Sequence, residues 1–158
     1  MQELLSDRTH TECAAMLRLS ATNLLLPDIM LEEVARPEAV NAVKGSPVWF
    51  LGYFNWLDKR VPLISYELLN GGNCEGFKSG SEVGIINCSI NPNYLPYYGI
   101  LLSQPTKFFP LKQKSIAPEF GRQAMRAEAC WTNVDGEAAV IPKVEWIEEH
   151  LQAYVLNS

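Results

Sequence analysis

Hydrophobic positions in the first part of this chain recur at every second residue, the spacing of half-buried strands. In CAAMLRLSA, Cys13, Ala15, Leu17, Leu19 and Ala21 share one face, and Met16, Arg18 and Ser20 share the other. That alternation predicts a strand with one wet face. Ala21-Thr22-Asn23 supplies a turn, Leu24, Leu25 and Leu26 a short strand, and Pro27-Asp28 a break, because proline cannot donate to a ladder. LEEVARP reads as the next strand, ended by Pro37. EAVNAVKGSP, from Glu38, has a weak helical pattern before looping through Gly45 and Pro47.

The strongest strand covers 48–57, VWFLGYFNWL, with apolar residues on both faces. Such a strand is either covered twice or lines a partner surface. Of Trp49, Tyr53, Phe54 and Trp56, two are expected to fill the core. Asp58-Lys59 leads tightly into RVPLIS, where Pro62 requires an edge or a bulge, and YELL adds one helical turn. Asn70 to Glu82 holds four of the ten glycines and reads as a surface loop or a seam between sub-barrels. VGIINCSI and YYGILLS follow as strands, then AEACWTNV paired with EAAVI across Asp135-Gly136, a strong hairpin signal. The proline-rich PTKFFPLKQKSIAPEFGRQ is too irregular for a core element. Pro142 suits a first helical position, and Val144, Ile147, Leu151 and Tyr154 recur at helical spacing, which predicts a helix over about 143–155. Many short strands with one terminal helix make an all-β barrel architecture.

Length divides this into a segment of helical tendency over 1–12 and a single domain over 13–158, built of two intertwined β-subdomains. At 158 residues the chain can bury about two-thirds of its unfolded surface without a metal or disulfide. A net charge of -5 argues against nucleic acid, whose binders need a dominant basic face. The acidic start MQELLSDRTH is unlike a signal peptide, and no apolar run reaches the ~20 residues of a membrane span; the protein reads as cytoplasmic, with no direct membrane insertion.

Candidate chemistry changes the picture little. Cys13, Cys74, Cys88 and Cys130 lack the spacing of a zinc knuckle or redox dithiol and read as free thiols, three of them within apolar strand patterns. The glycine-rich loop leads into a strand rather than a helix, and Lys78 is misplaced for phosphate binding. Glu32 and Glu33 point to opposite faces of a strand, and Glu148-Glu149 reads as a solvated helix face. A dyad of Cys130 with His150 is the one nucleophilic arrangement to weigh, with Cys74 as the other thiol. His150 reads otherwise as a polar-side or dipole-stabilising residue, and His10 lies near the other end. No cofactor, metal or catalysis is expected.

VWFLGYFNWLDKRVPLISYELLNG resembles the hallmark segment of CheW-like domains, with Gly52, Asn55, Val61, Pro62, Leu63 and Leu68 at matching places. Upstream, LLLPDIMLEEV is similar to the family's entry element through Pro27, Leu31, Glu33 and Val34. Trp49, Trp56 and Ser65-Tyr66-Glu67 look closest to the members of type IV pilus chemosensory systems. The chain has Leu57-Asp58 where the family usually has Arg-Gly; Lys59 or Arg60 supplies a nearby charge of different geometry. The resemblance implies a pair of small five-stranded SH3-like barrels sharing a core. It also implies an adaptor between the cytoplasmic tip of a methyl-accepting receptor and the regulatory domain of a CheA-type histidine kinase, with twitching motility as an output. The partner-binding residues it implies are Glu33, Gly52, Asn55, Leu57, Asp58, Lys59 and Pro62. For Glu33 the plain alternative is a solvated strand carboxylate; for the whole chain it is an SH3-like barrel that binds a different pilus-regulatory protein.

Overall fold

Two sheets are interleaved along the chain. The computed structural model describes residues 12–158; the helical tendency assigned to the N-terminal segment, and His10 within it, fall outside them. One sheet has the order β3-β6-β7-β5-β4, formed by Leu31–Ala35 (β3), Phe50–Trp56 (β4), Lys59–Ile64 (β5), Val83–Asn87 (β6) and Tyr97–Leu101 (β7). The other has the order β8-β1-β2-β11-β10-β9. It joins Cys13–Arg18 (β1) and Asn23–Pro27 (β2) to Gln104–Pro110 (β8), Ile116–Pro118 (β9), Glu128–Val134 (β10) and Glu137–Pro142 (β11). The beginning and end of the described chain therefore share a sheet, sewn by a parallel pairing of β11 with β2. Tyr66–Leu69 forms a short helix, α1, capped by the Ser65 hydroxyl, and Val144–Leu156 forms the terminal helix, α2.

Three apolar clusters follow from this topology. Phe54, Trp56, Val61, Leu63, Val83, Ile85 and Leu101 fill the interior of the five-stranded barrel. Ala14, Met16, Leu25, Phe109, Val134 and Ala139 fill that of the six-stranded one. Between them lies a shared core built from Leu17, Leu24 and Leu26 of one sheet, Phe50, Ile64, Ile86 and Ile100 of the other, and Ile147 and Leu151 of α2. A strand between an interior and the shared core is covered twice, so the expected wet face of β1 is absent: Met16 is as buried as Leu17. Of the four aromatics of the β4 region, Phe54 and Trp56 are buried, whereas Trp49 and Tyr53 are half-buried against the shared core.

The proline-rich connection corrects a second expectation. It supplies β8, which pairs with β1 along most of its length, and the edge strand β9, and Phe109 enters a barrel interior. Proline is tolerated there because β8 and β9 are the two ends of their sheet. The weak helix expected after Glu38 does not form; Asn41 instead bridges Tyr53 in an antiparallel pairing. Pro142 ends β11, and α2 begins two residues later, at Val144.

Three carboxylates clamp the loops. Glu67 of α1 accepts from the Ser20 and Ala21 amides and the Ser20 hydroxyl. Glu128 accepts from the Met125 amide, the Asn70 side chain and the Trp131 indole. Glu148, expected on a solvated face, is fully buried and accepts from the Ser89 amide and hydroxyl (both 2.8 Å), the Ile90 amide (3.0 Å) and the Tyr98 hydroxyl (3.0 Å). Four donors compensate its desolvation, which helical periodicity alone could not reveal.

Candidate functional site

The β4–β5 ribbon ends in a two-residue turn at Leu57 and Asp58, both with left-handed backbone (φ +48° and +62°). Leu57 is 69% exposed, and Asn55, Asp58 and Lys59 are exposed beside it. Trp56, just below the tip, is buried and organises what surrounds it. Its indole N–H donates to the Glu33 carboxylate on β3, which ties the first strand of the sheet to the last. The Lys59 ammonium lies 5.7 Å from its ring centroid and 4.8 Å from that of Tyr97. Trp56 and Tyr97 meet edge to face at 5.0 Å. Each cation–π contact at such an exposed site is worth about 0.5–1 kcal/mol. Further along the ribbon the Arg60 guanidinium stacks 3.6 Å above Tyr53.

Glu33, Asn55, Leu57, Asp58 and Lys59 are thus brought to one end of the barrel wall as exposed groups. Gly52 and Pro62 are buried and shape the ribbon from within. Gly52 (φ +136°) sits where a Cβ would fall 2.3 Å from the Asn41 carbonyl oxygen, so the bridge to Tyr53 demands glycine. Pro62 faces Tyr53 across the ladder, and both backbone polar groups of Tyr53 turn outward to Asn41. The pair is therefore a non-hydrogen-bonded one, and the missing proline N–H costs nothing on that side. On the other side, β7 comes into register only at Leu63 and Ile64.

Sequence reading singles out Trp56 but not its role as the common holder of Glu33 and Lys59. Tyr97 carries no local signal, because it reaches Lys59 only through the strand order.

The alternative chemistry finds little support in the geometry. His150 donates from Nδ1 to the Trp146 carbonyl (2.8 Å) and packs against the Trp146 ring; no hydrogen bond joins it to Cys130 among the described residues. Cys130 is exposed, Cys13 and Cys74 are half-buried, and Cys88 is buried. A cleft of about 760 Å³ lies under the glycine-rich loop, but its charges are paired, Arg36 with Glu82 (3.6 Å) and Lys78 with Glu75 (2.6 Å). Among the described residues no group of His, Cys, Asp and Glu could hold a metal ion.

A model of the CheW-like domain matches residues 14–151. The chain belongs to the CheW-like domain family. Among solved structures, its fold is similar to that of the scaffolding protein TtCheW from Thermoanaerobacter tengcongensis, with a TM-score of 0.67 and 17% identity over 84% of this chain and 89% of that one. The two sheets accordingly correspond to the two SH3-like subdomains of the CheW fold, one with the expected five strands and the other with six. Among curated proteins no match is found. The ribbon from Gly52 to Leu69 lies within the matched residues.

Proposed function

We propose that this CheW-like chain is a non-catalytic adaptor that docks to the regulatory domain of a CheA-type histidine kinase and to the cytoplasmic tip of a methyl-accepting receptor. Holding both in one array lets receptor conformation shift kinase activity. The observation that carries this reading is the ribbon tip. An exposed apolar residue stands between charges that Trp56 already holds in place, and groups fixed before contact lose less entropy on binding. Glu33, Asn55, Leu57, Asp58 and Lys59 make the contact, while Gly52 and Pro62 set the shape of the ribbon. The neighbouring fold's description as a scaffolding protein supports the same kind of role. Among the described residues no helix is long and apolar enough to cross a membrane, which accords with a place on the cytoplasmic side of receptor arrays. The resemblance of Trp49, Trp56 and Ser65-Tyr66-Glu67 to pilus-system members points to twitching motility as the output.

The test is calorimetric titration of the full chain with each purified partner fragment. Binding on the order of tens of micromolar or tighter supports the reading, and no heat with either fragment sinks it. The Leu57-Asp58 tip, where the family usually carries Arg-Gly, favours a second reading in which the barrels bind a different pilus-regulatory protein. Under that reading, receptor-controlled kinase activity is unchanged in cells lacking this protein.

A further inference from the structure

The same turn is built twice in this molecule from different residues. Both the β4–β5 and β10–β11 hairpins reverse across two left-handed residues, Leu57 and Asp58 (φ +48° and +62°) in one, Asp135 and Gly136 (φ +50° and +88°) in the other. A two-residue turn of this kind favours Asn-Gly or Asp-Gly, because side chains beyond Asn, Asp and Gly crowd the backbone at positive φ. The second hairpin follows that preference and puts its residues to structural use. Asp135 accepts from the Ser115 amide at 2.7 Å, and the Gly136 amide donates to the Asn133 side chain at 2.6 Å.

The first hairpin goes against it. Leucine occupies the first left-handed position, and its side chain is 69% exposed, so no packing compensates the strain. Asp58 has no ion-pair partner among the described residues. Folding alone would be better served by the residues at 135–136. The charges around the tip are also sorted. Glu33 is fixed there by the Trp56 indole, Asp58 is open to solvent, and Lys59 is drawn back over Trp56 and Tyr97.

We infer that Leu57 is a docking knob held in a left-handed turn against folding preference, and that its partner offers an apolar socket with a basic side chain at the rim. The strain at the turn stands by itself; the identity of the partner rests on the adaptor reading above.

Replacing the tip by the favoured pair, Leu57→Asn with Asp58→Gly, tests both halves on the full chain. The urea midpoint of the isolated protein rises, and titration with the kinase regulatory domain or the receptor tip, whichever binds the unaltered chain, shows affinity lower by about tenfold or more. Asp58→Asn alone keeps the leucine, lowers affinity several-fold and flattens its dependence on salt. An unchanged or lower urea midpoint overturns the strain. Affinity kept within about twofold overturns the knob, and an unaltered salt dependence overturns the basic rim. Should the unaltered chain bind neither fragment, the adaptor reading falls and the socket falls with it, while the urea result still judges the turn.

Discussion

Glu148 joins α2 to the turn after β6 through backbone and side-chain donors at once. Glu148→Ala leaves the two amides and the Tyr98 hydroxyl without their acceptor, at a cost of about 3 kcal/mol read by urea unfolding. The same carboxylate acts on its neighbours' protons. Burial first, and then the Glu148 charge, pushes the Cys88 thiol from 9.0 up to about 11 and holds the Tyr98 hydroxyl well above its ordinary range. Both groups are neutral when protonated, so the folded state keeps these protons longer than the unfolded chain does. The Cys88 contribution is complete below about pH 9 and is lost as pH rises through about 11, whereas that of Tyr98 is lost only above its ordinary range. Stability measured against pH falls over that window, and Cys88→Ala makes the fall shallower. Cys88 also reacts with thiol reagents at neutral pH far more slowly than exposed Cys130.

At the scale of elements, the ribbon depends on two side-chain facts of opposite kind. Gly52 is required by absence: a Cβ there meets the Asn41 carbonyl and forces the 41–53 bridge apart. Gly52→Ala therefore lowers stability by about 3 kcal/mol, seen as a drop in thermal midpoint, with strain and lost pairing both contributing. Trp56 is required by presence. Trp56→Phe keeps most of the buried area but removes the donor to Glu33 and weakens the seat of Lys59. The expected cost is about 1–2 kcal/mol in urea unfolding, and a loss of adaptor binding larger than that stability change explains. Strand existence along β4 and β5 was legible from the run of apolar residues on both faces of β4 and the tight turn that follows it. The role of Trp56 was not, since Glu33 and Tyr97 reach it through pairings that skip over intervening strands.

For the whole molecule, the shared core decides how the two barrels behave. Leu17, Leu24, Ile64, Ile86 and Leu151 come from both sheets and from α2, and none of them is accessible to water. Each barrel interior alone is small, so neither is expected to outlast the other. Urea unfolding followed by tryptophan fluorescence, with Trp56 in one barrel and Trp131 beside the other, and by far-ultraviolet dichroism traces one coincident transition. Leu151→Ala shifts that single transition by about 2–5 kcal/mol instead of splitting it.

Local chemistry by itself determined most of the strands, that Asp135-Gly136 turns the chain, and that one amphipathic helix follows the last strand. These follow from side-chain alternation and backbone preference over a few neighbouring residues. Only the tertiary structure decided that β1 is covered on both faces, that the proline-rich stretch pairs as β8 and β9, that Glu148 is a buried clamp, and that Trp56 holds Glu33 and Lys59 together. Each of these depends on partners far along the chain, and the energy of a buried carboxylate or an edge strand is set by the atoms that come to face it.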